Sequence, residues 1–144
     1  MLRSAPSPHQ RVVAISRDLP VPLERVWTAV ADPEGWPGWH PGVRRLLPGP
    51  GGWRRGSACK LHAPWPGNAW LEVLEPPHRL GWLFFPDGLG LREEFGLRLV
   101  SLASGTRVTL EHRASGLIAP AWLAVRRRQA AGALARLEGL LGKG

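Results

Sequence analysis

The sequence predicts an α+β fold: a seven-stranded, curved antiparallel sheet wrapped around one long C-terminal helix, with two short helices after the first strand. Two observations carry this prediction. Between residues 43 and 115 the chain is a series of short segments separated by proline and glycine turns, and such short connections favour antiparallel neighbours. From residue 120 to 141 it has no internal proline and is rich in alanine, leucine and arginine. A sheet with one face to bury needs a cover, and a helix of about 22 residues, roughly 33 Å long, provides it.

The first part of the chain predicts one strand and two short helices. Residues 11–18 alternate apolar and small polar side chains, as in a half-buried strand. Pro20 and Pro22 stop this strand, and proline suits the first turn of the helix that we expect over residues 22–31. Residues 34–40, which read EGWPGWH, predict a second short helical turn whose two tryptophans pack inward.

Six further strands are expected in the middle of the chain. Each is a short run of apolar residues ended by a turn that contains proline, glycine or Ser-Gly. The expected bounds are 43–47, 57–63, 69–74, 79–85, 91–102 and 106–114.

The long helix is expected over residues 120–141. Its larger apolar side chains recur near helical period at Trp122, Val125, Leu134, Leu137 and Leu141. A glycine in its middle, at position 132, costs about 1 kcal/mol relative to alanine. That glycine either leaves room for a ligand or allows close contact with the sheet.

Composition narrows the classes of function. The net charge is +8, but the basic residues form small groups far apart in sequence and match no nucleic-acid motif, so we do not expect a nucleic-acid partner. No run of about eighteen apolar residues could span a membrane, so no transmembrane segment is expected. The first ten residues lack the apolar centre of a secretory signal, and we expect a mobile tail there, a single domain over residues 11–144 and a cytoplasmic location.

The sequence predicts neither a metal site nor a cofactor. The single cysteine, Cys59, lies in an apolar alternation and is expected to be a buried, inert thiol. No two histidines have the spacing of metal ligands. We expect His62 to be exposed, His78 to lie in a turn, and His40 to be at the surface in preference to the entrance of the cavity.

Several segments of the chain resemble the START-like superfamily, also described as polyketide cyclase/dehydrase and lipid-transport proteins or SRPBCC. The resemblance covers roughly residues 11–141 and implies the helix-grip fold, in which a curved sheet grips the C-terminal helix. The segments that carry it are 19–27 (LPVPLERVW), 31–40 (ADPEGWPGWH), 55–57 (RGS), 70–82 (WLEVLEPPHRLGW), 105–111 (GTRVTLE) and 134–141 (LARLEGLL).

This resemblance implies that a small hydrophobic molecule is bound or carried in a cavity between the sheet and the helix. Members of the superfamily include aromatase/cyclases, ubiquinone-binding proteins, lipid carriers, plant hormone receptors and co-chaperone domains. Because function in such folds depends on the residues that line the cavity, no catalytic residue is carried over. Two alternatives stay open: a cyclase/dehydrase-type enzyme, and a protein-interaction domain with a filled interior.

Strand alternation places one carboxylate and one imidazole inside. In residues 91–99 the apolar face also carries Glu93, and in residues 106–114 the apolar face also carries His112. The turn between these strands is short, so Phe95 is expected opposite His112, with Glu93 diagonal to it and within reach of it. Such a pair can transfer protons, as an enzyme would require, or bind the polar end of a ligand.

Eight residues are candidates for the lining of the ligand cavity, chosen for aromatic character or an inward position. They are Trp65, Trp70, Trp82, Phe95, Leu97, Leu110, Trp122 and Val125.

Residues 79–85 are apolar on both faces of their strand. Leu80, Trp82 and Phe84 share one face, and Leu83 and Phe85 lie on the other. A strand whose outer face is exposed to solvent would not have this pattern, so either loops or a second subunit covers that face. Of these two, we favour a homodimer.

Overall fold

The computed structural model describes residues 11–142 of the chain, and the tail expected over residues 1–10 lies outside this range. The strands are β1 (Arg11–Leu19), β2 (Arg45–Pro48), β3 (Ala58–His62), β4 (Pro66–Glu75), β5 (Arg79–Pro86), β6 (Arg92–Leu102) and β7 (Gly105–Ser115). The helices are α1 (Leu23–Val30), α2 (Trp36–Trp39) and α3 (Ala119–Gly142), with a 3-10 turn over Pro33–Gly35.

All seven strands form one antiparallel sheet in the order β1-β7-β6-β5-β4-β3-β2. The long helix packs against β1, β7 and α2. This is the α+β helix-grip arrangement, and the predicted fold class, the seven strands and the two short helices are confirmed.

Strand bounds differ from the expected ones mainly at β4, which begins at Pro66 instead of residue 69. In the sequence, Pro66 predicts the end of a strand. It is tolerated here because it is the first residue of the strand, opposite His62 at the end of β3, where no ladder N–H is required of it.

The segment between β1 and β2 is shaped by its prolines and by two buried tryptophans. Pro22 precedes the first turn of α1 in extended conformation, and the side chain of Asp32 accepts a 3.1 Å hydrogen bond from the backbone N–H of Glu34. Trp36 and Trp39 are buried as expected, and the indole N–H of Trp36 donates to the backbone carbonyl of Val30 at 2.8 Å.

The buried stripe of α3 differs from the one that the larger side chains predicted. It consists of Ala119, Leu123, Arg126, Ala130, Ala133, Leu134 and Leu137. Val125 is exposed, because the side of the helix that faces the sheet carries Ala119, Leu123, Arg126 and Ala130 in its first half. Gly132 faces neither the sheet nor a ligand space: a methyl group there would lie 3.7 Å from Pro41, in the loop that follows α2.

Within residues 11–142, no helix is long and apolar enough to cross a membrane.

Candidate functional site

The predicted pair of Glu93 and His112 lies inside the fold. Phe95 is opposite His112 in the ladder between β6 and β7, as expected, and Glu93 is two residues along on the same face. The Nδ1 atom of His112 is 2.9 Å from Oε2 of Glu93. Both residues are buried, with 1% and 3% of their surfaces exposed for Glu93 and His112, so the pairing takes place out of contact with water.

Arg126 on α3 joins this pair, and the sequence did not predict it. Its guanidinium binds Glu93 with two 2.8 Å hydrogen bonds, one to each carboxylate oxygen. It also donates to the backbone carbonyl of Ala63 at 2.6 Å and to the side chain of Gln129 at 3.0 Å, and it lies 4.8 Å from the centre of the Trp122 ring. The buried site is therefore a cluster of three groups, not a pair.

Arg126 was missed because it belongs to a run of three arginines. Arg127 and Arg128 are exposed, as such a run usually is, and Arg126 alone is buried. A signal was present: Arg126 falls three residues after Leu123 and four before Ala130, within the stripe that faces the sheet. Alanine gives a weak hydrophobic signal, so this stripe did not stand out.

Glu93 stays ionised in this environment. Burial alone would raise the pKa of Glu93, but the charge of Arg126 and the hydrogen bond from His112 outweigh it and lower the pKa to about 2. An ionised carboxylate only accepts hydrogen bonds, so the Nδ1 atom of His112 must carry the proton that it shares with Glu93. In the neutral form of the ring, the other nitrogen, Nε2, is then an acceptor or base.

His40 is part of the same interior, although the sequence had placed it at the surface. That expectation was wrong: His40 is 1% exposed, stacks on Trp36 and has its ring centre 6.5 Å from that of His112. The loop after α2 turns inward at this point, and the backbone N–H of Gly42 donates to Nδ1 of His40 at 3.1 Å.

The protonation state of His40 follows from these contacts. Burial, together with the nearby His112 and Arg126, lowers the pKa of His40 to about 3 against the opposing effect of Glu93. The ring is therefore neutral near pH 7. Because Nδ1 accepts a hydrogen bond, the single ring proton is on Nε2, which makes that atom a donor.

The space at the centre of the site is small. Rings of Trp36, Trp82 and Phe95 line it together with His40 and His112, and its volume is about 10 Å³. A void of this size holds about one water molecule. The Nε2 atom of His112 is buried there and has no hydrogen-bond partner in the part of the chain that the structure describes.

Closely packed rings fill the rest of the interior. Ring centres are 4.4 Å apart for Trp36 and Trp39, 4.9 Å for Trp36 and Trp82, and 4.5 Å for Trp82 and Phe95. Of the candidate lining residues, Trp82 and Phe95 face the void. Leu97 and Leu110 are buried opposite each other in the hydrophobic core.

Trp122 lies near the site without lining the void. Its ring contacts Phe84, with ring centres 6.3 Å apart, and it packs against the core as a partly buried side chain. It therefore reaches the cluster only through Arg126.

Three candidate lining residues face solvent, and the expectation for them was wrong. Trp65, Trp70 and Val125 are 46%, 42% and 41% exposed. Trp65 lies between β3 and β4, where its indole N–H donates to the carbonyl of Asp87 at 2.7 Å. Trp70 falls on the outer face by strand alternation, and Val125 lies on the exposed side of α3.

The remaining candidate groups are not part of the site. Cys59 is buried and free, and burial raises the pKa of its thiol to about 11, so it is a poor nucleophile. His62 is half-buried, whereas the sequence predicts an exposed side chain. Among the described residues 11–142, no group of three or more histidine, cysteine, aspartate or glutamate side chains is placed to hold a metal ion.

A family model described as polyketide cyclase / dehydrase and lipid transport matches residues 10–141 of the sequence. The chain belongs to this family. The predicted resemblance is thereby confirmed over almost the whole chain. Among curated protein sequences, none matches the chain.

Solved structures of this shape include CalU16 from Micromonospora echinospora, with a TM-score of 0.72 and 23% identity over 92% of this chain and 74% of the other. Protein MLL2253 from Mesorhizobium loti has a TM-score of 0.78 and 19% identity, and the match covers 92% of this chain and 98% of the other. The Zhui aromatase/cyclase from Streptomyces sp. R1128 has a TM-score of 0.75 and 16% identity, and the match covers 94% of this chain and 95% of the other. At these identities the similarity establishes the fold alone.

Proposed function

We propose that the chain binds a small, largely apolar molecule between the sheet and α3, and that the polar group of this molecule is a hydroxyl. A lipid, a quinone in its reduced form or a polyketide-like phenol would have this chemistry. The observation that carries the proposal is the buried, unpartnered Nε2 atom of His112, which faces a void lined by aromatic rings.

The hydroxyl follows from the two histidines on that void. His112 offers an acceptor nitrogen, because its proton is held on Nδ1 by Glu93, and His40 offers an N–H donor, because its Nδ1 accepts from Gly42. One hydroxyl group can donate to the first and accept from the second. A bare carbonyl could satisfy only His40.

The apolar part of the ligand would have to displace side chains. A void of about 10 Å³ is filled by one water, so a larger molecule needs Trp36, Trp82 or Phe95 to move. The free protein would then be mostly closed, and the apparent affinity would be reduced by the fraction of time that it is open.

The ligand can be tested with a matched pair of probes, naphthol and naphthalene, which differ by one hydroxyl. By isothermal titration we expect naphthol to bind about tenfold more tightly, and His112→Phe to abolish this difference. His78→Phe, in the turn before β5, is the control and should preserve it. Phe95→Leu, which enlarges the void, should tighten the binding of both probes.

Native mass spectrometry of the purified protein provides an independent check, since a ligand of this class should co-purify. The proposal fails if the protein is empty and neither the natural chain nor Phe95→Leu binds either probe.

A cyclase/dehydrase-type enzyme is the second candidate, and the arrangement of Glu93 and His112 favours it. The free Nε2 atom could take a proton from a substrate, while ionised Glu93 would stabilise the resulting imidazolium. Aldol cyclisation and dehydration need such transfers. Glu93→Gln and His112→Gln should both abolish turnover of a polyketide-like substrate; activity retained in both folded variants would exclude this mechanism.

The third candidate is a protein-interaction domain, which the nearly filled interior supports. A stable partner protein should then be retrieved with the natural chain and also with His112→Phe, since the interior would play no part. Loss of the partner in that variant would count against it.

We also propose a cytoplasmic location and the association of two copies of the chain. The location is supported by a single cysteine that forms no disulfide, and cell fractionation would test it.

A further inference from the structure

The outer face of the sheet, opposite to the interior site, carries an exposed aromatic pair. Trp70 on β4 and Phe85 on β5 are 42% and 39% exposed, and their rings meet edge to face with centres 5.6 Å apart. The partly buried side chains of Val73 and Leu83 extend this apolar surface. We call these four residues the aromatic patch. Within residues 11–142 no loop covers the pair, which favours the other half of the sequence-based expectation for this strand: a second subunit.

A hollow lies beside the aromatic patch. Gly81 on β5 and Gly96 on β6 are paired in the ladder, and two adjacent positions without side chains leave a depression of about 200 Å³. A methyl group on Gly96 would meet nothing within 4 Å, so the space above it is open. The patch thus provides a protrusion and the hollow provides a recess on one continuous face.

The charges around the hollow indicate what kind of surface would cover it. Three glutamates and three arginines line it: Glu72, Glu94, Glu111, Arg79, Arg98 and Arg113. The hollow is therefore neutral on a chain whose net charge is +8. An anionic partner such as a nucleic acid or an acidic membrane would gain little here, whereas a surface with the same mixture of charges would be complementary.

We propose that this face joins two copies of the chain in a symmetric dimer, with Trp70 of each copy in the glycine hollow of the other. From strand spacing and rise, the α-carbon of Trp70 is about 10 Å from the centre of its own hollow. A twofold axis that runs parallel to the sheet just above its outer face, and crosses the line between them at a right angle over its midpoint near Leu83, exchanges the two features. Both contacts are then made at once, as a closed isologous interface requires.

Gly96→Val is the sharpest test, because it fills the hollow without disturbing the chain. Its side chain has free space, and valine favours a strand more than glycine does. Sedimentation velocity should show a dimer for the natural chain. Gly96→Val should raise the dimer dissociation constant at least about tenfold, as expected at the centre of an interface.

Trp70→Lys removes the other half of the contact and should have the same effect. Leu140→Lys is the matched control, because Leu140 is also a large exposed apolar residue but lies on α3, and this variant should remain dimeric. Circular dichroism confirms that each variant is folded. A natural chain that stays monomeric at the highest attainable concentration overturns the proposal, and so does a dimer that both substitutions leave intact.

Discussion

Two ion pairs of equal length join α3 to the sheet in opposite environments. Near the first turns of the helix, Arg126 meets Glu93 of β6 at 2.8 Å, with 3% and 1% of their side chains exposed. Near its end, Glu138 meets Arg17 of β1, also at 2.8 Å, with 36% and 44% exposed. The distance is the same, yet the consequences of breaking the two pairs differ, because only the first leaves an ion without water.

The comparison also separates structure from function. Among residues 11–142 the exposed pair makes no further hydrogen bond, while the buried pair is connected to His112, to a backbone carbonyl and to the ring of Trp122. Transferring charges out of water is unfavourable, and replacing such a cluster with apolar side chains often leaves the free energy of unfolding unchanged. The burial of this cluster is therefore weak evidence for a role in stability, and its unpaired nitrogen is where we propose that a ligand binds.

Breaking the buried pair should have the largest effect. We expect Arg126→Met to lower the free energy of unfolding by about 3–5 kcal/mol, because Glu93 is left buried with only His112 to bind it. Urea denaturation at neutral pH measures this loss. Arg128→Met is the matched control on the exposed side of α3 and should change stability by less than about 0.5 kcal/mol. Equal effects of the two substitutions would show that the burial of Arg126 is unimportant.

Acid should have an effect of similar size, through His40. In the folded chain the pKa of His40 is lowered to about 3 by burial and by His112 and Arg126, against Glu93, whereas the unfolded chain takes up a proton near pH 6.5. Stability should therefore be complete above pH 6.5 and fall between pH 6.5 and 3 by up to about 1.4 kcal/mol per unit. The lowered pKa of Glu93 adds a further loss below about pH 4.3.

The contribution of His40 can be isolated by His40→Asn. The asparagine oxygen can accept the hydrogen bond from Gly42 in place of Nδ1, but it does not titrate. Urea denaturation between pH 7 and 4.5 should then show a flatter dependence than in the natural chain. The same slope in both proteins would mean that His40 is protonated in the folded state.

Breaking the exposed pair should have the smallest effect. Arg17→Ala should lower the free energy of unfolding by no more than about 1 kcal/mol, because solvent screens the pair and its long side chains lose freedom when they meet. The loss should shrink in high salt, while that of Arg126→Met should persist. A salt-independent loss for Arg17→Ala would indicate that packing, not charge, is responsible.

The contact between Glu93 and His112 could be predicted because it depends on local features. Side chains alternate along a strand, and the two-residue turn between β6 and β7 sets which residues are opposite. Gly105 ends this turn where a side chain would collide with the carbonyl of Leu19. The strand alternation and the turn length are visible in a short stretch of sequence, whereas the contact with Leu19 is not.

The rest of the site could not be predicted in this way. Arg126 depends on how α3 is rotated against the sheet, and the larger apolar residues pointed to a different rotation, in which Val125 faced inward. His40 depends on the path of the loop after α2, which carries a residue expected at the surface into contact with Trp36 and Gly42. Neither the burial of Arg126 nor that of His40 can be deduced from the residue periodicity of a single helix or strand.

By itself, then, the sequence determined the number and order of the strands, the pairing of β6 with β7, and the inward positions of Glu93 and His112, because strand period and turn length act over a few residues. Tertiary structure decided the rest: that an arginine and a second histidine complete the site, and that rings leave only a small void beside them. The physical reason is that small side chains such as Ala130 and Ala133 set how closely the helix approaches the sheet, and only that approach brings Arg126 to Glu93.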